Sequence, residues 1–242
     1  MDLFQCRDAE ARSFSDPATI RAPLGVVRLA LSVGDLLITG ATPAESWRLG
    51  GEGRLITWHC DDLDVSLLIA RPVFSPPLDT PVDECWGVLW RVRAKALIEP
   101  LIFTAVWDEG HRYRECGPNG GQFLHAWIWG DGETDVTIGT QDEELLARRV
   151  RSGDSLPPEW ESYFCSVHNL TDAQQDVFFR HPVHEQLMSK GIACPLPGLQ
   201  SGQEIQIQFA VAWSATDEQS ALATSLAVEA SPAKILAGGE CS

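Results

Sequence analysis

The 242-residue sequence contains no run of about 18 consecutive apolar residues, so no membrane-spanning helix is expected. It also lacks a Gly-rich phosphate loop, a Gly-x-Ser-x-Gly nucleophile elbow and EF-hand spacing. Those absences set aside the common nucleotide-dependent, α/β-hydrolase and calcium-loop classes. Positive charge is scarce: 18 Lys plus Arg stand against 34 Asp plus Glu, a formal charge of -16. A field of that sign repels phosphate backbones and anionic headgroups, so neither nucleic acid nor a membrane is an expected partner. The first eight residues, Met1 to Asp8, have neither the basic start nor the apolar run of an export signal. Cysteine is not arranged as a disulfide framework, because the seven form an odd set with no C-x-x-C pair. A reducing, cytoplasmic setting is the expectation.

What is present is β pattern. Hydrophobic residues make up 44% and charged residues 21% of the chain, enough apolar surface for a packed core. Val27, Leu29, Leu31 and Val33 alternate with Val26, Arg28, Ala30 and Ser32, and Gly34-Asp35 leads into a short strand at Leu36 to Thr39. Arg54 to Asp61 and Leu63 to Phe74 form a pair turning at Asp61-Asp62, ended by Pro72 and Pro76-Pro77. In Trp86 to Ala96 the even positions are apolar, whereas Arg91, Arg93 and Lys95 mark a wet opposite face. Leu101 to Trp107, Glu204 to Ser214 and Leu222 to Ala230 read as further strands. His111 to Cys116 and Gln122 to Gly130 flank Pro118-Asn119-Gly120-Gly121, a hairpin signal because both central turn residues need φ above zero.

Two helical excursions interrupt this pattern. Thr140-Gln141-Asp142-Glu143 has the form of a capping box, and a second helix begins at Pro182 and ends before Gly191. Residues 1–22 read as an irregular arm, and residues 23–242 as one all-β antiparallel sandwich, immunoglobulin-like or jelly-roll-like. The alternative is two tandem modules split near residues 131–135, suggested by an echo between Ile102 to Glu109 and Phe209 to Glu218.

Strands are also expected at Trp160 to His168 and Asp176 to Phe179. Ser166-Val167-His168-Asn169-Leu170-Thr171-Asp172, then Val177-Phe178-Phe179, then Leu196-Pro197-Gly198-Leu199-Gln200-Ser201-Gly202-Gln203 follow in an order that resembles immunoglobulin-like sandwich modules. The resemblance covers residues 160–214, about a quarter of the chain, and implies a fold rather than a function.

Three constellations could carry chemistry. With a two-residue turn at Asn119-Gly120, Cys116 would lie opposite Phe123, Arg114 opposite His125 and Arg112 opposite Trp127. Arg112, Arg114, His125 and Trp127 would then form a ligand patch, with forked donors for a carboxylate or phosphate and a ring for stacking. The bland alternative is a cation-π pair on a sheet surface. In His181-Pro182-Val183-His184-Glu185, His181 and His184 are candidate metal ligands with Glu185 as a base, although the local sequence supplies no third ligand. His59 and Asp61 are another close His and carboxylate pairing on one strand face. Trp86, Trp90, Trp107, Trp127 and Trp129 suit either a stacking cleft or, more simply, the space between two sheets.

The function expected from these features is a non-catalytic intracellular binding or assembly module for a protein, glycan or small-molecule partner. The alternative is an enzyme acting on a small molecule through the hairpin patch or the His181, His184 and Glu185 cluster. No organic cofactor is expected, and a metal only at the two histidines. Exposed sheet edges also suit a homo-oligomer.

Overall fold

Strands that bury one face need a second layer, and here two antiparallel sheets supply it to each other. The computed structural model describes residues 10–11, 18–49, 52–75, 77–119, 124–141, 190–196 and 198–239. The chain begins with β1 (Glu10–Ala11), β2 (Thr19–Ala22), β3 (Gly25–Val33) and β4 (Leu36–Leu37). Then come β5 (Glu45–Arg48), β6 (Arg54–His59), β7 (Leu63–Ala70), β8 (Glu84–Ala94) and β9 (Leu101–Trp107). The second half holds β10 (Glu115–Pro118), β11 (Leu124–Gly130), β12 (Thr134–Gln141), β13 (Gly191–Leu196) and β14 (Glu204–Ala215). Two short helices follow, α1 (Ser220–Val228) and α2 (Pro232–Gly239).

The large sheet runs β1-β5-β6-β7-β8-β14-β12-β11-β10, and the small sheet runs β13-β9-β3-β2 with β4 on β3. The all-β class with two antiparallel sheets is the one the alternation predicts. Val27, Leu29 and Leu31 of β3 and Leu101, Phe103 and Ala105 of β9 turn inward, where they meet Val88, Trp90, Ile207 and Phe209 of the large sheet. Aromatic rings bridge the layers: Trp90 stacks beside Trp58 and meets Phe103 edge-on at 5.8 Å, and Trp107 meets Trp129 edge-on at 5.8 Å. Trp86, Trp90, Trp107 and Trp129 are all buried. Filling the gap between sheets is thus what most of the central tryptophans do. The Asp61-Asp62 turn forms as predicted, with the Cys60 N–H donating to Leu63 O at 2.9 Å.

Several expectations need correction. Leu222 to Ala230 is not a strand but mostly the helix α1, whose Ala227 and Val228 sit on Cys85, Ala126, Ala210 and Ala212. Ala and Leu favour a helix once a partner surface is there to bury it. The face of β8 read as wet is covered where α2 lies over it: Leu89 packs with Leu55, Leu68 and Ile235. Only farther along the strand does Arg93 reach solvent. Two glycines permit this close approach, since a Cβ on Gly139 would stand 2.8 Å from Val228 and one on Gly87 would overlap Ile235. Polar pins complete the seat, with Thr137 Oγ1 donating to Thr224 Oγ1 at 2.8 Å and Gln208 Nε2 to Ala230 O at 2.9 Å.

Thr140 is not a helix N-cap. It lies in β12 opposite Phe209, and its hydroxyl donates to Gln208 O at 2.9 Å. Part of the presumed arm is sheet, because Thr19–Ala22 pairs with β3 and Glu10–Ala11 with β5. Asp131 to Glu133 form the turn between β11 and β12, where the Glu133 and Thr134 N–H groups donate to Asp131 Oδ1 and hold that carboxyl below its ordinary range. The helices expected beyond Gln141 and from Pro182, the strands at Trp160 to His168 and Asp176 to Phe179, and the immunoglobulin-like segment up to residue 189 lie outside the described residues.

Candidate functional site

The hairpin patch does not assemble as its spacing suggested. Cys116 stands opposite Trp129 and Pro118 opposite Trp127, and the Asn119 N–H donates to Ala126 O at 2.9 Å. The register is displaced by six residues from that of a two-residue turn at Asn119-Gly120. Arg114 therefore donates its N–H to Gly130 O, and the Arg112 N–H donates to Leu24 O in the β2–β3 turn. His125 and Trp127 lie farther along β11, opposite Thr140 and Ile138. Arg112 and Arg114 instead line a shallow depression of about 310 Å³ with Tyr113, Asp131 and Glu133.

Neither the cation-π pairing with Trp127 nor the facing of Arg114 and His125 follows from this register. Burial, with the Cys116 thiol nearby, pushes the Tyr113 hydroxyl above its usual pKa. His181, His184 and Glu185 lie outside the described residues. Among the described residues no group of three His, Cys, Asp or Glu side chains is placed to hold a metal ion. His59 faces Asp64 across the β6–β7 hairpin rather than Asp61, with Nδ1 and Oδ1 2.8 Å apart.

A different site emerges where the edge strand β2 of the small sheet meets the ends of β5 to β8. A cleft of about 630 Å³ opens there, lined by Arg21, Arg28, Arg48, Arg54 and Arg71 together with Glu52, Glu84 and Asp108. Strand pairing is what gathers these side chains. Arg48 and Arg54 are direct partners across β5 and β6, and Arg28 is the partner of Thr19 across β2 and β3. Arg54 Nη2 donates to Thr19 O at 2.5 Å, tying the two sheets together at the cleft.

Charge inside the cleft is unevenly matched. Arg71 bonds Glu84 at 2.5 Å and Glu52 at 3.3 Å, and its guanidinium lies over the Trp86 ring, 5.0 Å from the centroid. Arg28 pairs with Asp108 at 3.6 Å. Arg21 and Arg48, both exposed, have no ion-pair partner among the described residues. Glu52 holds φ at 67°, the one non-glycine among the described residues in the left-handed region. Such conformations cost energy and collect at functional sites.

The described lining contains no histidine, cysteine or serine, so its polar groups are forked cations, three carboxylates, a threonine and backbone. That set can hold and orient a ligand by charge-assisted hydrogen bonds. Little in the sequence announces it. Arg48 and Arg54 flank Gly50-Gly51-Glu52-Gly53, a usable hairpin signal, but Arg21 falls in the segment read as an arm and Arg71 stands at the end of a long apolar strand.

No protein-family model and no curated protein matches this chain. Among solved structures, the chain is similar to one described as "Putative kojibiose phosphorylase from human microbiome", with a TM-score of 0.45 and 10% sequence identity. The match covers 96% of this chain and 30% of that one.

Proposed function

We propose that this chain is a non-catalytic binding module whose small-molecule ligand sits in the arginine-lined cleft. The observation that carries this reading is the convergence of Arg21, Arg28, Arg48, Arg54 and Arg71 from separate strands onto one concave surface in an otherwise acidic protein. A concave site with a few convergent polar groups is the usual form of a ligand pocket. Among the described lining residues no histidine, cysteine or serine stands beside these donors, and Glu52, Glu84 and Asp108 are each within ion-pair distance of an arginine, which favours holding over turnover.

The finer description of the sandwich as immunoglobulin-like or jelly-roll-like belongs to the same proposal. It is supported by the lead-in from Leu196 to Gln203, which connects β13 of the small sheet to β14 of the large one. No helix among the described residues is long and apolar enough to cross a membrane. A cytoplasmic location is supported by the free thiols of Cys60, Cys85, Cys116 and Cys194.

A thermal-shift screen of neutral, anionic and cationic metabolites tests the reading, with Val26→Trp as the cleft-filling variant because Val26 lines the cleft from β3. A ligand present at about 100 times its Kd should stabilise the wild type by about 2.7 kcal/mol. The filled variant should lose that shift. Equal shifts in both proteins, or chemical conversion of the bound ligand, would overturn the proposal.

A further inference from the structure

We infer that the chain carries a second binding site, a proline-walled groove beside α1 that takes a small organic cation: an ammonium on an aromatic or branched aliphatic body. This inference does not depend on the arginine-lined cleft.

The groove, about 570 Å³ in volume, is formed by the segment between β7 and β8 together with the first residues of β8. Phe74, Leu78 and Val82 line it and also pack on the cluster that Cys85 forms with Ala227 and Val228 of α1. The side chains of the apolar wall are therefore held from behind by the core. Pro72, Pro77 and Pro81 supply the rest of that wall, each with φ fixed and no N–H to donate. Backbone hydrogen bonds tie both ends of the segment, from the Val73 N–H to Lys234 O of α2 at 2.9 Å and from the Asp83 N–H to Trp213 O of β14 at 3.0 Å. A wall preset in this way needs little ordering when a ligand arrives, and its lack of donors suits an apolar body.

Charge decides the sign of the ligand. Three charged side chains line the groove: Arg71, Asp83 and Glu84. Arg71 and Glu84 are bonded to each other at 2.5 Å, and Arg71 also reaches Glu52 at 3.3 Å and lies over the Trp86 ring. Asp83 is exposed and has no ion-pair partner among the described residues. Its Oδ2 accepts from the Ala215 N–H at 2.9 Å, which leaves Oδ1 for a ligand. The nearest further cation is Lys234, whose Nζ stands 5.3 Å from the Phe74 centroid without lining the groove. Arg71 and Lys234 against Glu52, Asp83 and Glu84 leave one negative charge, and the carboxylate without a cation is Asp83. An anion would meet that charge and the field of a chain at -16, whereas an ammonium is attracted by both. With its ring on Phe74, Leu78 and Val82, such a ligand answers the apolar wall and Asp83 together.

The test is ligand-observed NMR titration of the full chain at pH 7 and low ionic strength with phenethylamine, 2-phenylethanol and 3-phenylpropionate, which share a ring and linker and differ in charge. Phenethylamine should bind about two- to fivefold more tightly than 2-phenylethanol, the range expected of an exposed ion pair, and 3-phenylpropionate should bind most weakly. Added salt should narrow these differences. Asp83→Asn keeps an oxygen for the Ala215 N–H and should bring phenethylamine and 2-phenylethanol to equal affinity. Val82→Trp, which fills the groove, should abolish binding of all three; if that variant does not fold, Asp83→Asn decides. Val26→Trp, which fills the arginine-lined cleft instead, should bind phenethylamine as the wild type does, so the two sites stand or fall separately. The inference is overturned if phenethylamine fails to bind the wild type, binds it no more tightly than 2-phenylethanol, keeps its preference in Asp83→Asn, or is lost in Val26→Trp.

Discussion

Gly87 of β8 lies beneath the side chain of Ile235 in α2 so closely that a Cβ on it would overlap Ile235 Cγ1. This contact seats the C-terminal helix on the outer face of the large sheet, where Ile235 is fully buried with Leu55, Leu68 and Leu89. Gly87→Ala should therefore cost about 1–3 kcal/mol by overpacking. Ile235→Ala should cost about 2–5 kcal/mol through the cavity it leaves. Because the added methyl enters the vacated space, the double variant should lose less than the sum of the two, as read by urea denaturation. Full additivity would mean that the two residues do not share this contact.

Trp58 and Trp90 stack with their ring centroids 6.2 Å apart, yet only one of their indole N–H groups has a hydrogen bond. Trp58 Nε1 donates to Ala41 O at 3.2 Å, while the buried Trp90 Nε1 has no partner. Both Trp→Phe changes remove similar ring volume, but Trp58→Phe also leaves Ala41 O without its donor. Trp58→Phe should cost about 1 kcal/mol more than Trp90→Phe. Equal losses in chemical denaturation would show that the Trp58 hydrogen bond adds nothing to stability.

Two carboxyl groups should shape the pH profile of stability with opposite signs. Burial pushes Asp64 up, but hydrogen bonds from Lys95, 2.7 Å away, and from His59 outweigh it and hold the pKa below its usual range. Its contribution is present above the unfolded value of about 3.9 and is lost as pH falls through the lowered folded value. Asp64→Asn should thus flatten the melting-temperature profile below about pH 4. The Glu229 pKa is raised by burial, with Lys234 drawing it back, so folding penalises its ionised form. Glu229→Gln should raise the melting temperature at pH 7, a gain that is full above the raised value and absent below about 4.3. A gain persisting at pH 3 would refute that origin.

Thiol reactivity should separate the cysteines by environment. Cys116 is exposed, while Cys85 and Cys194 are buried. Burial, with Glu84 adding like charge, pushes the Cys85 thiol up to about 12. Since the thiolate is the reacting form, iodoacetamide at mildly alkaline pH should label Cys116 in the native protein and reach Cys85 only on unfolding. Comparable native labelling rates by mass spectrometry would contradict the packing of Cys85 against α1.

How far the sequence could be read depended on whether the signal was local. In β9 the alternation of Leu101, Phe103, Ala105 and Trp107 with Ile102, Thr104 and Val106 predicts a strand of the observed bounds, because a period of two needs no knowledge of the partner. In Ser220 to Val228 the same small apolar residues fit either period. Ala223, Thr224, Ala227 and Val228 became the buried face only because Ala210, Ala212 and Gly139 offer a surface flat enough for a helix. The β10–β11 hairpin was visible at Asn119-Gly120, but its register was not, since turn length sets register and an error there relocates each cross-strand neighbour.

The sequence by itself determined the all-β class and the inward faces of β3, β8, β9 and β14, which follow from side-chain chemistry at fixed local spacing. Only the tertiary structure decided that α1 and α2 cover the outer face of the large sheet and that Arg21, Arg28, Arg48, Arg54 and Arg71 share one cleft. Those arginines are spread over some fifty residues and several strands, and the pairing of Arg48 with Arg54 and of Arg28 with Thr19 is a property of sheet register. Register is settled by long-range packing, so a charge cluster assembled through it leaves no signature in the order of the residues.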